Sequence, residues 1–272
     1  SSGSNLPSLA FWAKSAVDLD KPRKLNSSDR LITGTIRLLS GRATATPIFI
    51  FWWWIILSLS NEAFIKGNSC IALIHALINN GAFGQAGALE DISRKTLDKQ
   101  FQSNVFGWHE LTNLILAKMR GSDFGRIVYI SSVLGFVSMP FRGAYVASKF
   151  AIEGLVRTLR LELSNTNIKF SIIQPGPIES KFRQNAYNAF KENVDTSNSH
   201  YLDQYQSMIK RLKSGKNVKF TLPPEAVLKS TVHALESKSP KHYYRVTFPT
   251  KLFALLDNIL PSKLMDNILN KS

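Results

Sequence analysis

Three short apolar runs, each ended by turn-forming residues and separated by helix-length stretches, limit the possible folds of this chain more than any other feature. They are IALIHALI (71–78) before Asn79-Asn80-Gly81, RIVYI (126–130) before Ser131-Ser132, and IKFSIIQ (168–174) before Pro175-Gly176-Pro177. Runs of this length without polar alternation read as strands buried on both faces, which belong to parallel sheets covered by helices. Residues 89–121 form the first helical stretch, with Phe101, Val105, Leu111, Leu114 and Met119 near helical spacing and Gly121 as its C′ residue. A second helix begins near Ala144 and runs through Leu163, with Phe150, Ile152, Leu155, Leu159 and Leu161 at its apolar positions. Strand, helix, strand, helix, strand at these lengths implies βαβ crossovers, and so a single α/β domain with a Rossmann-like, doubly wound parallel sheet. Sites in such sheets lie outside the carboxyl ends of the strands, where Asn79, Ser132 and Pro175 all fall.

Tyr145 and Lys149 are four residues apart on the second helix, so their side chains emerge on one face about a turn apart. Ser132, thirteen residues before Tyr145 at a strand end, can face them. A phenol at its ordinary pKa of ~10 is a poor proton-transfer group near neutrality, and a nearby ammonium favours its phenolate. Lowering that pKa by ~3 units takes roughly 4 kcal/mol, within reach of a partly desolvated lysine at short range. Ser132 then holds a carbonyl or hydroxyl while Tyr145 passes the proton.

A chain of 272 residues can bury one large core. Its single cysteine, Cys70, excludes an intrachain disulfide and fits a reducing, cytoplasmic compartment. No two of the five histidines (75, 109, 200, 233, 242) stand at ligand spacing, so no metal is expected. The net charge of +15 raises the question of nucleic acid, but the basic residues spread along the whole chain with no nucleic-acid-binding motif beside them. A solvated basic surface and no nucleic-acid partner are expected, with a phosphorylated cofactor as a plausible anionic ligand.

Together these residues resemble the short-chain dehydrogenase/reductase family, from about Ala76 to the C-terminus, roughly 70% of the chain. The family's Asn-Asn-Ala-Gly turn is similar to Asn79-Asn80-Gly81-Ala82, its active-site asparagine matches Asn104, and its serine and YxxxK match Ser132, Tyr145 and Lys149. Its Pro-Gly turn matches Pro175-Gly176, with Ile178 in place and Ser180 where threonine is common. The resemblance implies that Tyr145 is the general acid/base and that Lys149 lowers its pKa while binding the nicotinamide ribose. It further implies that Ser132 orients the substrate oxygen and that Asn104 holds a water linking Lys149 to solvent. Asn79, Gly81, Pro175, Gly176, Ile178 and Ser180 join Tyr145 and Lys149 as implied cofactor contacts. NNGAFG, QPGPIES and the aromatic tail resemble the steroid and retinol dehydrogenase branch. The implied reaction is NAD(P)-linked interconversion of a carbonyl and an alcohol on a lipophilic molecule, such as a medium-chain aldehyde or a retinoid-like or steroid-like compound.

Residues 1–75 depart from that pattern. The family opens with TGxxxGxG at a helix N-terminus that binds pyrophosphate. Here LITG (31–34) is followed by Leu38 and Ser40 where glycines are needed, and Ser1-Ser2-Gly3 by Ser4 and Asn5. The distance from Ser1 to Asn79 suits the family although the pattern between does not, so residues ~4–75 are expected to derive from a disrupted reading frame, with the family's frame resuming near His75. The alternative to an active enzyme is therefore a degenerate homologue that no longer binds cofactor. The block from Pro47 to Leu59 has ~12 apolar residues, short of the ~20 of a membrane-spanning helix, and no secretory signal is expected. Lys21 to Lys24 (KPRK) and the net charge lean toward NADP over NAD. Residues 183–220 are polar and lie where the family covers its substrate, and the amphipathic segment 251–272, broken at Pro261, packs over the substrate end. Contact of that segment with a membrane surface is the minority reading, and a homo-oligomer is possible.

Overall fold

The computed structural model describes residues 74–214 and 218–270, so the readings made for residues 4–73, KPRK, LITG, the 47–59 block and Cys70 lie outside the described residues. Among the described residues four strands, β1 (Ala76–Asn79), β2 (Gly125–Ile130), β3 (Ile168–Gln174) and β4 (Tyr243–Arg245), form one sheet in that order, with each of their pairings parallel. Because Asn79 pairs with Tyr129, Ile130 with Ile173 and Gln174 with Arg245, the strands end together, and the turns after them share one edge.

Helices α1 (Arg94–Phe101) and α2 (Gly107–Ser122) join β1 to β2, α3 (Gly143–Glu162) joins β2 to β3, and α4 (Phe182–Asn193), α5 (Leu202–Lys213) and α6 (Glu225–Glu236) precede β4. After β4 come α7 (Phe248–Ile259) and α8 (Ser262–Leu269). The strand period of two sends apolar side chains to both faces of the sheet. Leu77, Ile127, Tyr129, Phe170 and Ile172 pack with Trp108, Ile115 and Met119 of α2 and Ile152 and Val156 of α3. Val128, Ile173 and Tyr244 pack with Ala234 of α6 on the opposite face. Both faces are covered, as a Rossmann-like doubly wound sheet requires.

Local structure corrects several boundaries. Strand β1 begins at Ala76, later than the apolar run suggests. The 89–121 stretch is not one helix: a single turn at Leu89–Asp91 precedes α1, whose N-cap Ser93 accepts from the Thr96 N–H at 3.2 Å, and a π-helical turn at Gln102–Phe106 separates α1 from α2. Gly121 lies inside α2, and Asp123, at φ 46°, takes the left-handed terminating position. The extra residue of a π turn rotates everything after it by about a third of a helical turn. The buried face of α2 is accordingly Trp108, Thr112, Ile115, Leu116 and Met119, and Leu114 is 63% exposed. In α3 much of the buried face is given to Tyr145, Ser148, Lys149 and Glu153, which leaves Phe150 and Leu161 exposed. Among the described residues no helix is long and apolar enough to cross a membrane, and no group of His, Cys, Asp and Glu could hold a metal ion.

Candidate active site

The helical period of α3 sets Tyr145 and Lys149 one above the other, and both are buried, at 8% and 1% exposure. Ser132 follows β2 in extended conformation, and its Oγ accepts from the Leu134 N–H at 3.1 Å, capping the single turn Val133–Gly135. A hydrogen bond joins the Ser132 and Tyr145 side chains. Lys149 Nζ donates to the Ile130 carbonyl at 2.8 Å and lies 4.4 Å from the Trp108 ring centre and 5.6 Å from that of Tyr145. Strand end, capping turn and helix are thus tied into one unit.

Burial sets the electrostatics. It pushes the Tyr145 hydroxyl well above the ordinary phenol range, and the hydrogen bond to Ser132 only partly offsets that. Burial also pulls Lys149 down to about 7, partly offset by the Glu153 carboxylate. In the protein alone the Tyr145 shift therefore runs opposite to the lowering anticipated from the sequence. A lysine with a pKa near neutrality is charged only part of the time, and the phenol's own desolvation outweighs it. Tyr145 therefore rests protonated.

Glu153, one turn beyond Lys149, was not singled out by sequence. It is 2% exposed, and its Oε1 accepts from the Ser131 hydroxyl at 2.8 Å. Gln174 Nε2 donates to its two oxygens at 2.8 and 3.0 Å, and Arg157 reaches Oε2 at 3.5 Å. Burial raises its pKa while these partners pull it back. The signal was present as a third member of the Tyr145, Lys149 series, another four residues on.

The other predicted residues line the same sheet edge. Asn79 Nδ2 donates to Thr112 Oγ1 at 3.1 Å, and Thr112 in turn bonds the Tyr129 hydroxyl. Asn79 Oδ1 is buried with no protein partner, an acceptor that a ligand hydroxyl would satisfy. The Gly81 carbonyl accepts from Trp108 Nε1 at 2.9 Å, so one indole braces the β1 turn and lies beside the Lys149 ammonium. Asn104, in the π turn, accepts from the Phe83 N–H at 3.2 Å and donates to the Phe83 carbonyl at 3.0 Å and Ser148 Oγ at 3.1 Å. Its side chain thus clamps the loop after β1 onto α3. The Pro175 carbonyl accepts from the Val133 N–H at 2.8 Å, tying the β3 turn to the Ser132 loop. Gly176 lies so close to α7 that an added Cβ would sit 2.1 Å from Thr247 Oγ1. Ile178 forms an isolated bridge with Leu222, and the exposed Ser180 accepts from the Phe182 N–H at 3.4 Å, where α4 starts. The Phe182 ring lies 5.2 Å from that of Tyr145, and Leu134, Val137, Val146, Met265 and Leu269 cluster around the same tyrosine.

A doubly wound parallel sheet with a serine, a buried tyrosine and a buried lysine at its carboxyl edge defines a Rossmann-like α/β protein with an acid–base site. The family model for short chain dehydrogenase matches residues 65–190. An uncharacterized oxidoreductase of Escherichia coli (strain K12), YbbO, is 40% identical over 210 residues, 77% of this chain and 71% of that protein. Retinol dehydrogenase 8 of Homo sapiens is 32% identical over 66% of this chain and 59% of that protein. The crystal structure of a short-chain dehydrogenase from Streptomyces avermitilis has a TM-score of 0.54 at 25% identity, over 68% of this chain and 66% of that one. The chain belongs to the short-chain dehydrogenase/reductase family, a family of oxidoreductases.

Proposed function

We propose that the chain interconverts a carbonyl and an alcohol on a lipophilic small molecule with a nicotinamide cofactor, NADP in preference to NAD. The observation that carries this is Tyr145, bonded to Ser132, adjacent to Lys149 and walled by Leu134, Val137, Val146, Phe182, Met265 and Leu269. A polar proton-transfer group set in apolar walls suits a substrate with one oxygen on a hydrocarbon frame, and the name of the human relative, a retinol dehydrogenase, agrees in kind.

In the reducing direction Ser132 donates a hydrogen bond to the substrate oxygen and Tyr145 gives that oxygen its proton. The tyrosinate left behind favours a protonated Lys149, so the lysine gains charge as the phenol loses its proton. Asn104, fixed to Phe83 and Ser148, is suited to hold a water that returns a proton from solvent to Lys149. The buried, unpartnered Asn79 Oδ1 and the Lys149 ammonium fit the ribose hydroxyls, and the turns at Gly81, Pro175, Gly176, Ile178 and Ser180 would flank the nicotinamide. That group, when bound, supplies or accepts the hydride. The reading includes a cytoplasmic location and a homo-oligomer, checked by cell fractionation and sedimentation.

A degenerate homologue that does not bind cofactor is the second reading, favoured by the lack of a TGxxxGxG run in residues 1–73. Titration with NADPH and NADH by nicotinamide fluorescence separates the two. Saturable binding together with oxidation of NADPH by a long-chain or ring aldehyde supports the enzyme, and no binding of either cofactor at millimolar concentration overturns it.

A further inference from the structure

We propose that the outer face of α7 docks on an anionic membrane surface, with a lipid headgroup phosphate held by the cationic cavity beside it. Phe248, Leu252, Leu255 and Ile259 are 56, 39, 57 and 66% exposed, and their spacing puts them in one narrow stripe along the helix. Phe220 extends the stripe, with its ring 5.0 Å from that of Phe248, and is itself 47% exposed. The apolar residues on the inward side of the same helix are already occupied. Phe253 and Leu256 pack with Met265, Leu269, Leu134 and Tyr145. A helix apolar on both sides has a second face for something other than its own core.

The charges around the stripe say what that is. Asp257, the one acidic residue of α7, points to the side away from the stripe, whereas Lys251 flanks it. Lys219 Nζ lies 5.1 Å from the Phe220 ring centre. Lys241, Arg245 and Lys251, with Ser230, Tyr243 and Tyr244, line a cavity of about 410 Å³. None of these four cations is in an ion pair among the described residues. An apolar stripe edged by unpaired cations, on a chain of net charge +15, complements a bilayer carrying anionic lipid. A second copy is the poorer fit, because a two-fold contact through this face would set its cations against themselves. The inward side of α7 packs on the Tyr145 cluster, so a lipophilic molecule dissolved in the bilayer would reach the site past a single helix; only this consequence rests on the oxidoreductase reading.

The full chain should co-sediment with vesicles of equal phosphatidylcholine and phosphatidylglycerol, bind phosphatidylcholine alone far more weakly, and be released by raised salt. A Leu255→Gln/Ile259→Gln variant should lower the partition coefficient at least about tenfold, and Lys251→Glu severalfold. Both change exposed side chains, so an unaltered circular dichroism spectrum and thermal midpoint are expected. Absence of vesicle binding overturns the proposal, as does binding that Leu255→Gln/Ile259→Gln leaves unchanged. An oligomer that this variant dissociates, in a chain that ignores vesicles, overturns it in favour of contact between copies. Binding of inorganic phosphate without vesicle binding assigns the cavity to a free anion and overturns it equally.

Discussion

Tyr145 and Lys149 are each stripped of water by the same packing, and the two pKa shifts that result oppose each other's chemistry. Burial keeps the phenol protonated and holds the lysine near half-charge at about 7, so neither side chain is poised until charge develops beside it. If Tyr145 transfers the proton, Tyr145→Phe should cut turnover by ~10²- to 10⁴-fold while cofactor affinity stays nearly unchanged. A folded variant retaining more than about a tenth of the parent rate removes Tyr145 from that role. The lysine makes a separate statement about stability. Its folded pKa lies below the 10.5 of the free side chain, so between about 7 and 10.5 the unfolded chain holds more protons. Stability therefore climbs as pH rises through that window, and below about 7 the folded protein carries the whole penalty of a buried ammonium, on the order of a few kcal/mol. Lys149→Met should remove this climb. Its thermal midpoint should gain most on the parent near pH 6 to 7 and progressively less toward pH 10, whereas parallel curves would show that Lys149 is not desolvated as its burial implies.

Elements were legible in the sequence where one period held and hidden where it broke. The strand ends at Asn79, Ser132 and Pro175 could be read because both-face burial and a following turn are local signals, and these ends share one edge as expected. Strand β4 could not be read, because three residues of KHYYRV at the far side of the sheet carry neither a long apolar run nor a turn signal. The π turn was equally silent: it shifts the register of α2 by one residue, which is why Leu114 reads as core and is exposed while Thr112 is buried. Glu153 is hard to read for a related reason, since polar residues on a helix suggest solvent and here fill the face turned toward β2 and β3. The β3 turn yields a prediction at this scale. A methyl at position 176 meets Thr247 Oγ1 at 2.1 Å, and Thr247 is the N-cap of α7, so Gly176→Ala must push the start of that helix away. Overpacking of this kind costs about 1–3 kcal/mol, measurable as a lower midpoint in urea unfolding. An unchanged midpoint would mean that α7 is not held against the β3 turn.

For the molecule as a whole, Ser132, Tyr145, Lys149 and the buried, unpartnered Asn79 Oδ1 belong to the part described from residue 74 onward, whereas the family's phosphate-binding glycines belong to the part before it. Thr33-Gly34 is followed by Leu38 and Ser40 where TGxxxGxG has the glycines that let backbone N–H groups approach a pyrophosphate. The two halves of a dinucleotide should then be recognised unequally. On the proposed reading Asn79 and Lys149 keep the ribose contacts while those to pyrophosphate are lost, and a single charge-assisted phosphate contact is worth roughly 1.5–3 kcal/mol, or about tenfold or more in affinity. Nicotinamide mononucleotide in its reduced form should accordingly bind within about tenfold of NADH, where a chain with an intact phosphate loop would favour the dinucleotide far more strongly. Competition of each against a fluorescent nicotinamide probe measures both constants under one salt condition. NADH binding more than about a hundredfold tighter than the mononucleotide would mean that residues 1–73 supply phosphate contacts by another route, and the idea of a disrupted reading frame would fall with that result.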